Sequence, residues 1–595
     1  MFTARSQNSP NTKLIPITPP PPTSPPPAPQ IAGLPLLLLL ACVALGWNLN
    51  GYRLLDPDEG RNAEVAREMA QTNDYLVPQL DGLPYLDKPI VYFAAAAATI
   101  ELLGPSETAA RLPAYLATLA TVALLVWFGR RRWSEEAGWT AGLAYATMVL
   151  PLAYARTAIF DSTLTLCTTA AMLAFWEDRP VRGWAALAVG TLTKGPIALA
   201  IPLLALVPHA LVTGRPVRRL FPWRGLAVFG AIALPWFVAV SVAHPDFPAY
   251  ALVRETLQRM TTSSFHRTAP WWYYLPIVPV AAFPWIVPAL ARLKTWRATW
   301  LARRAPDASE PLLLAAWVIA PLLFLSVNQS KLPQYVLPLM PAFALAAARN
   351  LERPSTTAVR SYAAIATVTG LALIALTRWL PAPISLTPEE KAAIPVTAAV
   401  LGIVALCSAA LVALSALLRR PRLTLLGYAV VVMAIPFLSG RLLVAVGQDR
   451  SSAAVANATA AALQRTAGNG AVLGVMAYPP SLPFYLGRPI AVATSTGVEL
   501  TSNYIAANAE RLRSRTGSPL LPEGYWRDAL ARCPVPTVFL VGAGNVAVRA
   551  TLADALPLLA ADGHYAAYGP CRPRLFSQHP QSPQPPPPGR GGGKR

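Results

Sequence analysis

Residues 31–48 read IAGLPLLLLLACVALGWN, the first long apolar run of the chain. This run carries no acidic or basic side chain and is long enough to cross a bilayer core as a helix. Comparable runs of roughly 18 to 22 residues recur along the chain as far as about residue 444. Because the runs are continuous and do not alternate with polar residues, they favour transmembrane helices over the strands of a β-barrel.

The composition of the chain leads to the same fold class. Of the 595 residues, 54% are hydrophobic and only 13% are charged. That charged fraction is about half of what a soluble globular protein carries. A soluble enzyme, a disordered scaffold and a coiled coil are therefore excluded, and the sequence predicts a polytopic α-helical membrane protein.

The positive charge of the chain indicates topology. The formal net charge of +21 comes largely from arginines grouped in short clusters between the apolar runs. Cytoplasmic loops of membrane proteins carry such an excess of basic residues. The distribution therefore argues against nucleic acid as a partner. The clusters contain Arg130, Arg131, Arg132, Arg215, Arg218, Arg219, Arg303, Arg304, Arg419, Arg420 and Arg422.

One short apolar segment determines how the spans are counted. Residues 90–103 number only 14, which is short for a crossing, so we interpret them as a re-entrant or interfacial helix. With a cytoplasmic N-terminus, every later arginine cluster then falls in the cytoplasm and the C-terminal region lies outside. The resulting 13 predicted spans are residues 31–49, 108–128, 138–155, 158–176, 183–193, 195–213, 225–243, 271–291, 311–327, 332–348, 361–379, 394–418 and 423–444.

Composition also divides the chain into four parts. Residues 1–30 are proline-rich and predict a disordered cytoplasmic leader, and residues 576–595 predict a disordered tail of proline, glycine and basic residues. Residues 31–444 form the transmembrane module. In residues 445–575, polar helical stretches alternate with β-like runs, which predicts an α/β domain on the outer face.

The cysteines suggest one disulfide in that outer domain. Cys533 and Cys571 are the only cysteines outside the apolar runs. A domain on the outer face lies in an oxidising compartment, where disulfides persist. We therefore predict that these two cysteines are bridged.

The first loop predicted on the outer face reads DPDEGRNAEVAREM over residues 56–69. Part of it has a structural explanation, because Asp56 suits a helix N-cap and Glu59 suits the acid of a capping box. Arg61 and the later charged residues of the loop could form surface pairs at helical spacing. None of these structural roles explains Asp58, and we therefore interpret it as a functional acid.

An acid and a lysine, Asp87 and Lys88, precede the 90–103 segment. They could form an interfacial ion pair of little energetic weight, or the lysine could extend toward the lipid headgroups. The functional alternative is that Lys88 lies against a phosphate group. A later outer loop contains His266, and an acid–histidine pair across loops could bind a metal ion.

Four further polar residues are predicted at the outer ends of spans. Asp161 either caps the helix that follows or has a function, because ionisable residues at membrane depth are costly. Lys194 lies at another outer helix junction and suggests an anionic partner. Lys331 and Tyr335 belong to a short outer turn at the membrane edge. The arginine-derived topology thus gathers acids, lysines, an arginine and a histidine on one membrane face.

Several of these segments, in the same order along the chain, resemble the aminoarabinose (lipid A) transferase-like branch of the protein-mannosyltransferase superfamily. The resemblance implies a C-type glycosyltransferase fold with its site on the outer face and a donor sugar carried on a polyprenyl phosphate. The segments are residues 58–69, 83–89 (LPYLDKP), Asp161, 192–196 (LTKGP), 270–276 (PWWYYLP), 330–335 (SKLPQY) and 479–489 (PPSLPFYLGRP).

The resemblance also implies roles for individual residues. Asp58 and Asp161 match catalytic acids, and Arg61 and Lys88 match ligands of the donor phosphate. We add three residues to the phosphate-binding set on the strength of their position. Those three residues are Lys194, Lys331 and Tyr335.

Metal binding is a separate implication of the resemblance. The family members that modify lipid A are implicated in binding a metal through an acid and a histidine, which match Asp87 and His266. The acid is usually glutamate, and Asp87 is one methylene shorter. A divalent ion, zinc or magnesium, is therefore an open alternative and no cofactor is certain.

The chemistry that these residues suit is sugar transfer. A lipid phosphate leaves without a strong general acid, so the reaction needs a carboxylate that accepts the proton of the acceptor hydroxyl and cations that stabilise the leaving phosphate. We predict a bacterial inner-membrane glycosyltransferase that transfers a hexose or pentose with inversion to a lipid A-type or other envelope glycolipid or glycan. The alternatives are a protein O-mannosyltransferase and a lipid or sugar transporter or flippase.

Overall fold

The structure is a computed structural model of the chain. The predicted leader (residues 1–30), the predicted tail (residues 576–595) and His266 lie outside the described residues. The residues that the structure describes are 33–252, 254, 269–352, 356–379, 386–466 and 470–572.

The N-terminal three quarters of the described chain is almost entirely helical. A two-residue hairpin, β1 (Gln79–Leu80) with β2 (Leu83–Pro84), interrupts it after the second helix. The helices are α1 (Leu34–Gly46), α2 (Asp58–Thr72), α3 (Val91–Leu103), α4 (Glu107–Arg132), α5 (Glu135–Ala146), α6 (Val149–Ala155), α7 (Asp161–Trp176), α8 (Pro180–Lys194), α9 (Ile197–Thr213), α10 (Trp223–Ala243), α11 (Phe247–Ala249), α12 (Tyr274–Ala281), α13 (Ile286–Ala289), α14 (Trp296–Leu301), α15 (Pro306–Val327), α16 (Met340–Leu351), α17 (Thr356–Trp379), α18 (Pro388–Leu417), α19 (Pro421–Leu438) and α20 (Gly440–Asp449), with 3-10 turns at Val217–Leu220, Leu293–Thr295 and Pro333–Leu339.

The length and composition of these helices identify a helical membrane protein. Within the described ranges, five helices are long and apolar enough to cross a membrane, and seven if each of two bent pairs counts as one span. The remaining predicted spans are shorter or interrupted. The five are α4, Val217–Ala243 (which contains α10), α15, Thr356–Thr377 within α17, and α18.

Proline accounts for one of the interruptions. The predicted span 271–291 is broken between α12 and α13, where Pro284 follows Phe283 and supplies no backbone N–H to a helix. The predicted span 138–155 is also divided, into α5 and α6. The short predicted span 183–193 corresponds to the 15-residue helix α8. The count of 13 spans therefore stays a prediction.

The short helix α3 begins and ends on the same face of the molecule. Just before α3, Asp87 accepts a hydrogen bond from the backbone N–H of Asn503, with an N–O distance of 2.9 Å. Just after α3, Glu107 at the start of α4 accepts one from the hydroxyl of Tyr485 at 3.1 Å. Both partners belong to the C-terminal domain. This geometry agrees with a helix that does not cross the membrane, and the non-crossing of residues 90–103 stays a prediction.

The arginine-bearing ends of several helices meet on the opposite face. Arg132, at the end of α4, forms an ion pair with Glu310 near the start of α15. The hydroxyl of Ser134 donates to Glu352, just after α16, with an O–O distance of 3.0 Å. The arginine-bearing end of α4 therefore lies at the opposite end of that helix from its contact with the C-terminal domain, and the assignment of the two faces to the two sides of a membrane stays a prediction.

The C-terminal domain contains a six-stranded sheet flanked by short helices. The strand order is β5-β4-β3-β6-β8-β7, in which the first four strands are parallel and β8 and β7 are antiparallel to their neighbours. The two β-like runs of the sequence form the central pair β3 and β6, with Leu473 opposite Phe539. The elements are β3 (Ala471–Val475), β4 (Ala491–Ala493), β5 (Leu520–Leu521), β6 (Thr537–Gly542), β7 (Leu558–Ala561), β8 (Tyr565–Tyr568), α21 (Ala453–Gln464), α22 (Leu482–Leu486), α23 (Asn503–Ala507), α24 (Ala509–Arg513), α25 (Tyr525–Arg532), α26 (Val546–Ala555) and the 3-10 turn Val498–Leu500.

The predicted disulfide is confirmed. Cys533 and Cys571 are bridged, with their Cα atoms 6.0 Å apart. The bridge ties the segment before β6 to the chain that follows β8. It closes a loop of 38 residues, which stabilises the domain mainly by constraining the unfolded chain.

Helix α2 lies between the membrane module and the C-terminal domain. Glu64 and Arg67 are buried and joined by two hydrogen bonds, at 2.6 and 2.7 Å. Arg67 also donates to the carbonyl oxygen of Gly487 in the C-terminal domain at 3.1 Å. The prediction that these residues form surface pairs is wrong. Their helical spacing is real, but a second domain covers the face that carries them.

The contact between α2 and the C-terminal domain is close at Gly60. A Cβ added at this glycine would lie 2.6 Å from the backbone nitrogen of Ser481. Real Cβ atoms essentially never approach another heavy atom so closely. Glycine is therefore required at this position, because its lack of a side chain lets the two backbones meet.

The topology gives a first prediction. In a background without the free cysteines Cys42, Cys167 and Cys407, Ser495→Cys in the C-terminal domain should react with an impermeant thiol reagent in intact spheroplasts. Ala305→Cys, beside an arginine cluster, should react only after the membrane is disrupted, because basic loops face the cytoplasm. Both positions are exposed.

Labelling of Ala305→Cys in intact spheroplasts, at a rate similar to that of Ser495→Cys, would contradict the predicted orientation. A denatured sample of each variant, in which both cysteines must react, serves as the control for reactivity.

Candidate active site

The first acid of the site begins helix α2. Asp58 Oδ1 lies 2.6 Å from Nη2 of Arg61, one helical turn later. The Asp58 side chain is 39% exposed, whereas that of Arg61 is 8% exposed. Arg61 Nη1 donates to the carbonyl and hydroxyl oxygens of Thr501 at 2.9 and 3.0 Å. The C-terminal domain therefore fixes the arginine, while the carboxylate remains accessible from the cavity.

Asp56 does not cap helix α2. Helix α2 has Pro57 at its N-cap position and no side-chain cap hydrogen bond. Asp56 instead accepts hydrogen bonds from the hydroxyls of Ser481 and Ser452 at 2.8 and 3.0 Å. The predicted N-cap is wrong because the carboxylate accepts from two serine hydroxyls of the C-terminal domain and from no backbone N–H of α2.

Glu59 forms a buried ion pair, and the capping-box role predicted for it is wrong because the N-cap residue, Pro57, has no backbone N–H. Its Oε2 accepts from the backbone N–H of Leu55 at 3.0 Å. Its two oxygens also accept from Arg111, each at 2.9 Å. Oε1 further accepts from the backbone N–H of Ala158 at 2.8 Å. Glu59 thus ties the first loop to α4 and to the segment before Asp161.

The second acid of the site pairs with a lysine from another helix. Asp161 Oδ1 lies 2.5 Å from Nζ of Lys194. Helix α7 has Phe160 at its N-cap position and no side-chain cap hydrogen bond, so the capping alternative for Asp161 is wrong. Lys194 Nζ also lies 4.9 Å from the centre of the Tyr335 ring, a cation–π distance. The pair joins the first residue of α7 to the last residue of α8.

The remaining predicted lysines differ in position. Lys88 lines the cavity, and its Nζ donates to the carbonyl oxygen of its neighbour Asp87 at 2.6 Å. Lys331 is buried, and its Nζ donates to the carbonyl oxygens of Ala269 and Asn328 at 3.0 and 2.5 Å. Lys331 lines neither cavity described below, so its contacts suit a structural role.

Most predicted site residues line one polar cavity of about 390 Å³. The cavity lies between the membrane module and the C-terminal domain. The predicted residues in its wall are Asp58, Arg61, Asp87, Lys88, Asp161, Lys194 and Tyr335. The prediction that these residues come together is confirmed by their shared cavity.

A second cavity, of about 400 Å³, adjoins the polar one. Its walls are mostly apolar and come from α7, α9, α10, α11 and α15, with Phe237 and Phe324 among them. Asp161 and Lys194 line both cavities, as do Lys88 and Tyr335. Charged groups therefore stand at the boundary between a polar chamber and an apolar one.

The contribution of the C-terminal domain to the polar cavity was not predicted from the sequence. Thr501, Ser502 and Asn503 line the cavity from the C-terminal domain. No recognisable motif surrounds them. The closest sequence feature is the segment 479–489, which resembles the family and lies in the same domain. It indicates that the domain is related to the family, but it does not identify residues 501–503.

The residues implied as metal ligands were tested against the structure. Asp87 accepts three hydrogen bonds: Oδ1 from the hydroxyl of Tyr250 at 2.5 Å and the backbone N–H of Tyr504 at 2.8 Å, and Oδ2 from the backbone N–H of Asn503 at 2.9 Å. Over the residues described, no three His, Cys, Asp or Glu side chains are grouped to hold a metal ion. His266 lies outside those residues. Of the two implied ligands, the structure describes only Asp87, whose carboxylate is already engaged by these three hydrogen-bond donors.

The fold and the site together define a helical membrane protein whose charged residues meet at helix ends beneath an α/β domain. Comparison with known proteins agrees with this class. Residues 87–241 match the family model described as dolichyl-phosphate-mannose-protein mannosyltransferase.

Curated relatives share a specific name. An undecaprenyl phosphate-alpha-4-amino-4-deoxy-L-arabinose arabinosyl transferase of Aeromonas salmonicida (strain A449) is 35% identical over 299 residues, which are 48% of this chain and 54% of that protein. The protein of the same name from Edwardsiella ictaluri (strain 93-146) is 35% identical over 321 residues, which are 51% of this chain and 57% of that protein. The chain thus spans little more than half the length of these curated relatives.

A solved structure covers more of the chain. The crystal structure of ArnT from Cupriavidus metallidurans bound to undecaprenyl phosphate matches with a TM-score of 0.76 and 27% identity, covering 91% of this chain and 98% of that chain. The comparisons confirm the predicted resemblance to the aminoarabinose transferase-like branch of the protein-mannosyltransferase superfamily. The chain has an ArnT-like helical membrane fold.

Two carboxyl groups where α2 meets the C-terminal domain lie in surroundings that oppose their ionisation. Burial raises the pKa of Asp56 from 3.8 to about 7, against the effect of two serine hydroxyls that stabilise the carboxylate. Burial, together with the neighbouring charge of Glu64, also raises the pKa of Asp81 well above its ordinary value. Burial thus makes ionisation of both groups less favourable in the folded protein than in the unfolded chain.

Asp56→Asn should therefore weaken the pH dependence of stability. Between its unfolded pKa of 3.8 and its folded pKa of about 7, Asp56 keeps a proton that the unfolded chain has released. The free energy of unfolding falls as pH rises through this window and levels off above it. The difference corresponds to at most about 4 kcal/mol. Thermal unfolding in detergent at about pH 5 and about pH 8 measures the effect.

The exposed Asp528→Asn is the matched control and should behave as the wild type. If Asp56→Asn loses as much thermal stability between the two pH values as the wild type does, Asp56 does not titrate in this window.

Proposed function

We propose that this chain transfers a sugar from a polyprenyl-phosphate donor to an acceptor hydroxyl group. The observation that carries the proposal is the pair of adjoining cavities, one polar and one apolar, that share Lys88, Asp161 and Lys194 in their walls. A lipid-linked sugar phosphate has the same division, because an apolar chain and a polar sugar meet at a charged phosphate.

The two cavities would orient the donor, with its lipid chain in the apolar cavity and its sugar in the polar one. The polyprenyl chain would lie in the apolar cavity beside Phe237 and Phe324. The phosphate would lie at the boundary, against the ammonium groups of Lys88 and Lys194, where cations stabilise a phosphate charge. The sugar would extend into the polar cavity toward Asp58. The solved ArnT structure bound to undecaprenyl phosphate supports this class of ligand.

The reaction then follows from the positions of the charges. The acceptor oxygen bonds to the anomeric carbon while the bond from that carbon to the phosphate oxygen breaks, which inverts the configuration. Asp58 accepts the hydroxyl proton as general base. Arg61 and Lys88 stabilise the charge that develops on the departing polyprenyl phosphate. Asp161 holds Lys194 toward the same phosphate through their ion pair.

We also propose the finer features that this function requires. The chain crosses the bacterial inner membrane 13 times, as the apolar runs and arginine clusters of the sequence predict. The C-terminal domain is periplasmic, as the basic loops imply. The sugar is a pentose of the aminoarabinose type and the acceptor a lipid A-type or other envelope glycolipid, supported by the names of the curated relatives.

Two substitutions separate the roles of acid and cation. Asp58→Asn keeps the size of the side chain but cannot accept a proton, so transfer should fall by roughly 10² to 10⁴-fold while donor binding persists. Lys88→Ala should weaken donor binding and turnover together, because its ammonium contacts phosphate in both the ground and the transition state. The assay is transfer from purified polyprenyl-phosphate sugar in detergent, with donor binding measured separately.

The exposed Asp528→Asn and Lys391→Ala provide matched controls of the same chemistry and should retain wild-type transfer. Wild-type transfer by Asp58→Asn would refute the assigned base. Protein that binds the donor but transfers nothing, with lipid and peptide acceptors alike, would point to transport instead.

A further inference from the structure

Asp87 connects three parts of the chain that meet at the site. Its carboxylate accepts from the hydroxyl of Tyr250, in the loop after α10, and from the first two backbone N–H groups of α23 in the C-terminal domain. Its own carbonyl oxygen accepts from Nζ of Lys88 at 2.6 Å. The side chain of Asp87 is buried. One residue thus holds the outer loop and the outer domain against the phosphate-binding lysine.

The residues that donate hydrogen bonds to Asp87 are themselves packed in a buried cluster. The rings of Tyr250 and Tyr504 pack edge to face, with centroids 5.1 Å apart. Both are buried in a small apolar cluster that includes Phe247 and Leu86. A hydrogen bond to an ionised group is stronger inside such a low-dielectric cluster than in water. The carboxylate is therefore held in one orientation by donors that are themselves packed in place.

We propose that Asp87 is a positioning residue that sets Lys88 at the donor phosphate through hydrogen bonds to Tyr250 and the C-terminal domain, and not through a metal ion. This inference rests on the proposed function for the identity of the phosphate ligand. The shorter aspartate agrees with it. A glutamate would extend the carboxylate by one methylene into the space that the Tyr250 hydroxyl and the two N–H groups now occupy.

The inference predicts that the C-terminal domain contributes to phosphate binding without contacting the phosphate. Asn503 and Tyr504 hold Asp87 by their backbone N–H groups, so the first turn of α23 fixes the segment that carries Lys88. A second contact supports this docking: Arg511 of α24 forms two hydrogen bonds, each 2.9 Å, with Asp246 in the same outer loop as Tyr250.

Tyr250→Phe is the gentlest test, because it removes one hydroxyl and keeps the ring. We expect the Kd for undecaprenyl phosphate to rise by about 3- to 10-fold, the effect of losing one hydrogen bond. The KM for the donor should rise in parallel while kcat changes little, because a displaced Lys88 weakens the ground and transition states alike. The matched control is Tyr75→Phe, which removes a partly exposed hydroxyl bonded to Glu101.

A merely structural role for Tyr250 would give a different result. Partial unfolding lowers the active fraction, which reduces kcat but leaves the Kd of the remaining folded protein unchanged. An unchanged Kd for Tyr250→Phe would therefore overturn the proposal. Because Tyr250→Phe retains the packed ring, we expect its thermal unfolding temperature to stay close to that of the wild type.

Asp87→Glu distinguishes hydrogen bonding from metal binding. If the carboxylate only receives hydrogen bonds, the longer side chain should raise the Kd for undecaprenyl phosphate, and neither chelator treatment nor added zinc or magnesium should change binding to the wild type. If Asp87 binds a metal, purified protein should contain a stoichiometric ion, a chelator should weaken binding, and Asp87→Glu should bind as well as the wild type. That second set of results would overturn the proposal.

Because the readout is phosphate binding, failure of the inference can be separated from failure of the proposed function. A wild type that binds undecaprenyl phosphate in a Tyr250-dependent way but transfers no sugar retains the inference and loses the function. If the wild type transfers sugar normally but Tyr250→Phe binds undecaprenyl phosphate as tightly as the wild type, the proposed function stands and the inference about Asp87 fails.

Discussion

The position of the site depends on a buried ion pair between Glu59 and Arg111. Arg111 is fully buried, and two of its nitrogens lie 2.9 Å from the two oxygens of Glu59. It also donates to the carbonyl oxygens of Leu49 and Tyr52. Removing either partner would leave an unpaired charge in the interior, which typically costs about 3–5 kcal/mol. The pair fixes the first loop against α4 and so places the neighbouring Asp58 at the cavity.

The segment between α1 and α3 connects the membrane module to the C-terminal domain. Arg61 is held by Thr501, and Asp87 is held by the first backbone N–H groups of α23. Both contacts join a residue of the polar cavity to the C-terminal domain, so the domain forms part of the site. Helix α2 can be highly charged and still buried because its partners come from two surfaces at once, which satisfies its polar groups.

The arrangement of charge also suits a substrate that is part lipid and part sugar. Lys88 and Lys194 lie at helix ends, where their stems pack against apolar side chains while their ammonium groups reach a polar chamber. An ionisable side chain in the middle of a span would lack such a chamber and would be costly. The boundary between the cavities is therefore the place where an anionic group on a lipid can be bound within the protein.

Much of this protein is encoded in local sequence. Continuous apolar runs define a helical membrane protein, the shortness of residues 90–103 predicts a helix that does not cross, and charges near helix ends predict Asp58 and Lys194 as candidate site residues. Local patterns did not show that α2 is buried, that Asp56 accepts from serines of the C-terminal domain, or that Asn503 lines the polar cavity. The periodicity of the sequence identifies the apolar face of a helix such as α2. It cannot show whether the polar face of that helix is buried, because that depends on a surface from elsewhere in the chain. Here that surface comes from a domain that lies far along the chain, with 420 residues separating Arg67 from its partner Gly487, and only the folded structure brings the two together.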